Sequence, residues 1–304
     1  MSSAHIRAGR HTIEITRADK ILFGPTITKL DLARYYEQVA PTMLPHLKDR
    51  PLNLERYPDG IAGHRIVQQH ASGHFPDWIR RARVPKKGGH VEHVMASDAA
   101  TLVYLANQAC ITLHRWPSRV DRLERPDRMI FDLDPSLHDP AAVKRAAQKI
   151  VALLQQLGCE PWVMTSGSRG YHIVLPLQRR TGFDFVRTFA RDVAELARRR
   201  HPETFTTEQR KAKREQKILI DVMRNGYAHT SVAPYAVRAR PKAPVATPLH
   251  LDELGERATR PDRWTMQLVL ARLARDRDPW GDMARKAVTL TRARARLDDA
   301  LAER

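Results

Sequence analysis

The eight residues Arg128-Met129-Ile130-Phe131-Asp132-Leu133-Asp134-Pro135 constrain the fold of this chain more than any other stretch. Their apolar character reads as a strand against a core, yet two carboxylates interrupt it at positions i and i+2. Residues two apart in a strand share a face, so Asp132 and Asp134 point one way while Phe131 and Leu133 point the other. Their Cα atoms would lie about 6.5 Å apart, near enough for both carboxylates to grip ions roughly 3.5–4 Å apart. Adjacent anions repel, and each raises the other's pKa unless a cation intervenes. A fold that accepts this strand must bury one face and bring positive charge to the other. Mg²⁺ or Mn²⁺, hard ions that prefer oxygen ligands, would meet that demand. The competing interpretation is a surface turn, where DxDP is a common sequence.

Asp221 sharpens the choice. It interrupts Ile218-Leu219-Ile220-Asp221-Val222-Met223, which otherwise reads as a buried strand. A carboxylate there needs a cation, because an unpaired buried charge costs several kcal/mol. The cation is either a structural arginine, such as Arg224, or a metal shared with Asp132 and Asp134. The metal reading also serves two aspartates that already lack a counter-charge.

A second motif lies between two strand-like runs: Thr165-Ser166-Gly167-Ser168-Arg169-Gly170-Tyr171-His172. Glycines permit close backbone approach, hydroxyls and amides can bind phosphate oxygens, and Arg169 and His172 add positive charge. No GKS/T and no GxGxxG opens a helix here, so the motif is neither a Walker loop nor a dinucleotide fingerprint. Beside three strand aspartates it reads as a triphosphate cradle rather than a plain hairpin turn. His114, in Thr112-Leu113-His114-Arg115-Trp116, reads equally as a satisfied core histidine or a nucleotide contact. Arg56 and Arg224 are further candidates. Arg238 and Arg240 would share a face if 234–240 is a strand, and could line a phosphate-bearing groove.

Charge points the same way. Fifty-two Lys and Arg against 34 Asp and Glu give a net charge of +18 over 304 residues. A basic field of that size favours a polyanion, since each phosphate neutralised releases counterions. The two cysteines, Cys110 and Cys159, form no CxxC pair, which argues against a disulfide framework or a cysteine zinc site. No run approaches the roughly 20 apolar residues of a membrane span, and the first 16 residues lack a secretion signal. A cytosolic (cytoplasmic) protein with no membrane partner is expected.

Along the chain, His11–Thr16 alternates like an edge strand, and Thr28 with Asp31 forms a capping box for a helix that Pro41 should end. Strands are expected at 52–57, 65–70 and 91–95, with a helix capped by Ser97 running to Ala109. The second half reads as strand 129–134, helix 141–157 closed by Gly158, strands 162–166 and 171–177, helix 183–200 and strands 217–223 and 234–240. Helices at about 262–275 and 280–302 follow. Residues 206–216, polar and basic, read as a mobile loop. The mixture is α+β, with the central strands forming one sheet.

These motifs, in this order, resemble the polymerase domain of bacterial DNA ligase D, a branch of the archaeo-eukaryotic primase superfamily. The resemblance rests on Phe131-Asp132-Leu133-Asp134-Pro135, the Thr165–His172 loop and Ile220-Asp221-Val222, and extends over roughly residues 10–285. It implies a primase-type core with a mixed, antiparallel RRM-like sheet flanked by helices. One catalytic domain spans 1–304, with subregions at about 1–125, 126–245 and 246–304. Asp132, Asp134 and Asp221 become the catalytic, metal-binding triad for two Mn²⁺ or Mg²⁺ ions. Ser166, Ser168, Arg169, His172, His114, Arg224 and Arg238 become contacts of the nucleoside triphosphate, with His114 near its sugar. Lys20 and Lys29, with Arg17 beside them, become the site for a 5′-phosphate on a downstream DNA end. The implied activity is gap filling and end extension in non-homologous end joining, with ribonucleotides favoured and with Ku and a DNA ligase as partners. Two positions depart from the family pattern. Gln69 stands where Gln-Lys-His is frequent, and Arg17 where an asparagine often accompanies the lysines. A primase, a metal-dependent nuclease and a non-catalytic DNA-end-binding module are the alternative readings.

Overall fold

The structure, a computed structural model, describes residues 2–303. The chain divides into two compact units. The first runs to Asp121 and adds Thr230–Thr247 and Trp264–Asp276; the second takes Arg122–His229, Pro248–Arg263 and the residues from Arg277 on.

In the first unit, β1 (Ser3–Ala8) pairs in an antiparallel hairpin with β2 (His11–Thr16), the strand legible from its alternation. Strands β3 (Ile21–Phe23) and β4 (Ile27–Thr28) lead into α1 (Lys29–Leu47). The capping box forms as expected. Asp31 N donates to Thr28 Oγ1 at 3.2 Å and Thr28 N to Asp31 Oδ2 at 2.8 Å, worth about 1 kcal/mol. The stop expected at Pro41 does not occur, and α1 continues through Pro41 and Pro45. The two prolines, four residues apart, sit on the exposed side, so water can replace the backbone bonds they remove. On the opposite side Val39, Met43 and Leu47 are fully buried. Each contributes about 1.5–3 kcal/mol of burial, enough to offset roughly 3 kcal/mol for each proline.

The unit's main sheet contains β5 (Leu52–Arg56), β6 (Ile66–Gln68), β7 (Arg81–Lys86), β8 (Gly89–Val94) and β9 (Cys110–Arg115), with Ser231–Val232 on the edge of β9. Between β8 and β9 lies α2 (Ala99–Asn107). Its cap is Asp98 rather than Ser97: Asp98 Oδ1 accepts from Thr101 N at 2.8 Å. The strand expected at 234–240 is absent. Tyr235 adopts φ +65, which turns the chain, and its carbonyl accepts the Tyr35 hydroxyl at 2.8 Å.

In the second unit the order is β10 (Arg128–Pro135), α3 (Pro140–Gln156), β11 (Trp162–Thr165), β12 (Tyr171–Pro176), α4 (Phe183–Arg200), β13 (Phe205–Thr206) and β14 (Ile218–Asp221). Setting aside the two-residue β13, this is a βαββαβ unit, and its sheet runs β14-β10-β12-β11. That is the RRM-like sheet, antiparallel throughout these four strands. Gly158, at φ +78, ends α3 with a Schellman motif: Cys159 N donates to Leu154 O and Gly158 N to Gln155 O. Helices α3 and α4 pack on the sheet, and Phe131, Leu133, Tyr171, Ile173 and Ile220 are buried on its apolar face. Among the described residues no helix is long and apolar enough to cross a membrane.

Candidate functional site

Register assembles the polar face of the RRM-like sheet. Asp132 stands directly opposite Asp221 on one side and His172 on the other. Directly opposed residues share a face with Cβ atoms about 4.5–5.5 Å apart. Asp134, two residues along β10, joins the same face. Thus residues from three strands, up to 89 positions apart in sequence (132 to 221), converge with no loop needed to carry them.

Each carboxylate meets positive or donor groups. His172 Nε2 lies 3.4 Å from Asp132 Oδ1, and Arg224 Nε lies 3.7 Å from Asp132 Oδ2. Asp134 is held between Arg169 Nη2 at 3.3 Å and Arg214 Nη1 at 2.9 Å. Asp221 Oδ1 accepts from Met223 N at 2.8 Å. Arg224, considered as a counter-charge for Asp221, reaches Asp132. The row is therefore balanced by cations of the chain itself. Among the described residues no three His, Cys, Asp or Glu side chains stand together so as to hold a metal ion. The donor chemistry nonetheless suits a hard divalent ion: all three carboxylates lie on one sheet face, and Asp134 is half-exposed.

The glycine loop is locked onto this row. A Cβ on Gly170 would lie 1.8 Å from Leu133 O, so only glycine lets the loop pass against β10. Gly167 takes φ +63 at the turn. Ser166 Oγ accepts from Ser168 N at 3.2 Å and from Gly170 N at 3.1 Å, while Ser166 N donates to Gly170 O at 2.9 Å. Ser166 is thus a buried turn-closing residue, which leaves Ser168 and Arg169 on the more exposed part of the loop.

Arg214 is the residue that sequence reasoning missed. The segment expected to be a mobile loop contains a short 3-10 helix (Lys211–Lys213), and Arg214 is buried under it. Its guanidinium donates to Glu208 O at 3.1 Å, Gln209 O at 2.8 Å and Asp134 Oδ2 at 2.9 Å. Its signal was one arginine in a run of polar residues, with no periodicity to single it out.

The remaining candidates lie in the first unit. His114, on β9, holds Glu55 Oε2 at 3.0 Å through Nε2. Glu55 also accepts from the Tyr57 hydroxyl at 2.8 Å and pairs with Arg65 at 3.1 Å. Desolvation would raise the Glu55 carboxyl. The hydrogen bonds from His114 and Tyr57, with the charges of His114 and Arg65, outweigh it and hold the group down at about 2. Arg56 donates to Gln108 O at 2.9 Å and to Gln68 Oε1 at 2.8 Å. Arg238 and Arg240 do not share a strand face, because Arg238 N turns back to Pro244 O at 2.7 Å. Gln69 is exposed beside β6.

Arg17, Lys20 and Lys29 come together. Lys20 N donates to Arg17 O at 3.0 Å, and Lys29 N to Lys20 O at 2.8 Å, so one turn sets all three at the N-terminus of α1. The Lys29 ammonium is buried and donates to Asn107 Oδ1 at 3.2 Å, Asn107 O at 3.3 Å and Thr16 Oγ1 at 3.4 Å. Burial and then the charges of Arg17 and Lys20 pull it down from 10.5 to about 8. Lys20 pairs with Asp59 at 2.8 Å. Three cations at a helix N-terminus, where backbone dipoles also favour negative charge, make an anion site. Asn107 and Asp59 were not found from sequence.

Comparison with known proteins gives a consistent picture. A profile described as the primase-polymerase domain of LigD matches residues 28–280. The chain is 34% identical over 292 residues to the multifunctional non-homologous end joining protein LigD of Pseudomonas aeruginosa, covering 93% of this chain and 34% of that protein. It is 29% identical over 284 residues to the bifunctional non-homologous end joining protein LigD of Bacillus subtilis, covering 92% and 46%. The chain therefore spans about a third to just under half the length of these relatives. Among solved structures, the polymerase domain of Mycobacterium tuberculosis ligase D in complex with DNA matches with a TM-score of 0.84 and 28% identity. The match covers 91% of this chain and 99% of that one.

Proposed function

Because this chain belongs to the LigD primase-polymerase family, we propose that it is a DNA-end-directed nucleotidyltransferase that fills gaps and extends ends in non-homologous end joining. The observation that carries this reading is the row Asp221–Asp132–His172 across three paired strands, with Asp134 beside it and a glycine-locked loop against it. In this reading Asp132, Asp134 and Asp221 would hold two divalent ions, Mn²⁺ or Mg²⁺. Bound there, such ions supply Lewis-acid activation of a primer 3′-hydroxyl and neutralise charge on the triphosphate.

The chain's own residues do the rest. Ser166 fixes the turn, so that Ser168 and Arg169 meet the phosphates of a nucleoside triphosphate without reorganisation at the moment of reaction. His172 donates to Asp132 and orients that carboxylate. Arg214 and Arg169 hold Asp134 in place, and releasing it from them is the rearrangement that loading requires. Arg224, His114 and Arg238 are further nucleotide contacts, assigned on the family resemblance. Arg17, Lys20 and Lys29 bind the 5′-phosphate of the downstream DNA end, supported by their convergence at the start of α1. Ribonucleotides are the favoured substrate, and Ku and a DNA ligase are the expected partners. The two units together form one catalytic domain.

The test is incorporation into a gapped duplex carrying a 5′-phosphate, with Mn²⁺ and either ribo- or deoxynucleoside triphosphates. Extension that favours ribonucleotides and vanishes in Asp134→Ala is expected. Equal extension by wild type and Asp134→Ala would refute the assignment of the aspartate row.

A further inference from the structure

The anion site at the start of α1 contains its own anion. Lys20 Nζ contacts Asp59 Oδ1 at 2.8 Å, and Asp59 is 76% exposed. This contact is built by the fold. Asp59 sits in a turn whose Gly60 N donates to Tyr57 O at 3.0 Å, and the next residue, Ile61, donates its N–H to Leu22 O at 2.9 Å. Gly60 takes φ +76, and a Cβ there would meet Ile21 O at 3.1 Å and Leu22 O at 3.2 Å. The turn is thus docked on β3, the strand that begins immediately after Lys20. The same Lys20 carbonyl that accepts Lys29 N anchors the other half of the site. Asp59, Lys20 and Lys29 are therefore set by one connected piece of backbone.

An ion pair this exposed adds little to stability, so the docked turn calls for another use. Electrostatics supplies one. The cluster offers the charges of Arg17, Lys20 and Lys29, with Asp59 already engaging Lys20 and lowered in pKa by it. An internal phosphodiester carries one negative charge, the same as Asp59, and gains little by replacing it. A terminal phosphomonoester carries about −1.5 to −2 near neutral pH and three strong acceptor oxygens, so it competes for Lys20 on better terms.

We infer that Asp59 is a specificity-determining residue: a built-in competitor at Lys20 that admits a terminal 5′-phosphate and turns away internal DNA backbone. The inference rests on the end-phosphate reading of the Lys20–Lys29 cluster and names what makes that site selective.

Equilibrium binding of the whole chain to a gapped duplex with a 5′-phosphate, and to the same duplex with a 5′-hydroxyl, tests it. The quantity read is the ratio of the two Kd values in wild type, Asp59→Asn and Lys20→Ala, with thermal melts to show that each variant is folded. Asp59→Asn should bind 5′-hydroxyl DNA about two- to fivefold more tightly, the range set by the strength of exposed ion pairs, with 5′-phosphate DNA nearly unchanged. The selectivity ratio then falls by that factor, whereas Lys20→Ala brings it close to one. If Lys20→Ala collapses the ratio but Asp59→Asn leaves it unaltered, Asp59 is a surface ion pair only and the inference fails while the site stands. A ratio of one in wild type, or one that Lys20→Ala does not change, overturns the end-phosphate reading itself and the inference with it.

Discussion

The two charged regions of this molecule solve opposite problems by different means. On the RRM-like sheet of the second unit, like-charged carboxylates are forced together by strand register, and cations from loops are brought to them: Arg169 from the glycine loop, Arg214 from the 206–216 segment. At the start of α1 in the first unit, like-charged ammonium and guanidinium groups gather on a turn. They are steadied mainly by neutral dipoles of Asn107 and Thr16 and by one exposed carboxylate, Asp59. The first arrangement fixes atoms to the precision of a sheet and suits chemistry. The second leaves cations on flexible stems and suits binding.

The comparison breaks most sharply at Asp132. Asp132→Asn should lower incorporation by about 10²–10³-fold or more, the scale of losing a principal electrostatic stabiliser. Its melting temperature should hold or rise, because one like charge leaves the row; a large fall in melting temperature would make Asp132 structural. Next comes Gly170→Ala. With a Cβ 1.8 Å from Leu133 O, the loop or β10 must move, which should cost about 2–4 kcal/mol in urea unfolding and most of the activity. An unaltered unfolding curve would show that the loop is not locked.

Smaller effects sharpen the contrast. Arg214→Ala should cost about 1–2 kcal/mol and raise amide exchange across residues 206–216 by about tenfold, since the guanidinium secures that segment to itself and to Asp134. No rise in exchange would mean that the segment is held by other contacts. The smallest effect is a pH dependence with two opposite signs. Lys29 titrates at about 8 in the folded chain and near 10.5 when unfolded. Between those values the unfolded chain binds the extra proton, so the Lys29 contribution makes stability rise with pH. Affinity for a 5′-phosphate needs the ammonium and should fall over the same range above pH 8. Comparing wild type with Lys29→Met at pH 7.5 and 9.5, by urea midpoint and by DNA binding, reads both slopes.

The sequence was most legible where structure is periodic. The Asp132–Asp134 strand, the amphipathic α3 and α4 and the Thr28–Asp31 cap all follow from local pattern, and each forms where expected. Pro41 misled because the penalty of a proline is local while the burial of Val39, Met43 and Leu47 that offsets it is tertiary. Asp98 displaced Ser97 as a cap because both are good capping residues, and the choice depends on backbone geometry. Arg214, Asn107 and Asp59 were invisible for another reason. Each acts on a partner 39 to 80 positions away, through a loop or helix end with no period to read. The lysine cluster itself was recognised through family resemblance, since its spacing carries no motif.

The most direct test of the account separates the two regions in one assay: steady-state kinetics of nucleotide addition to a 5′-phosphorylated gap, comparing wild type, Asp132→Asn and Lys20→Ala. The account expects Asp132→Asn to lose kcat with little change in DNA affinity, and Lys20→Ala to keep kcat while KM for the gapped DNA rises. A Lys20→Ala protein that lost kcat, or an Asp132→Asn protein that kept it, would contradict the division between a catalytic sheet face and a DNA-end-binding turn.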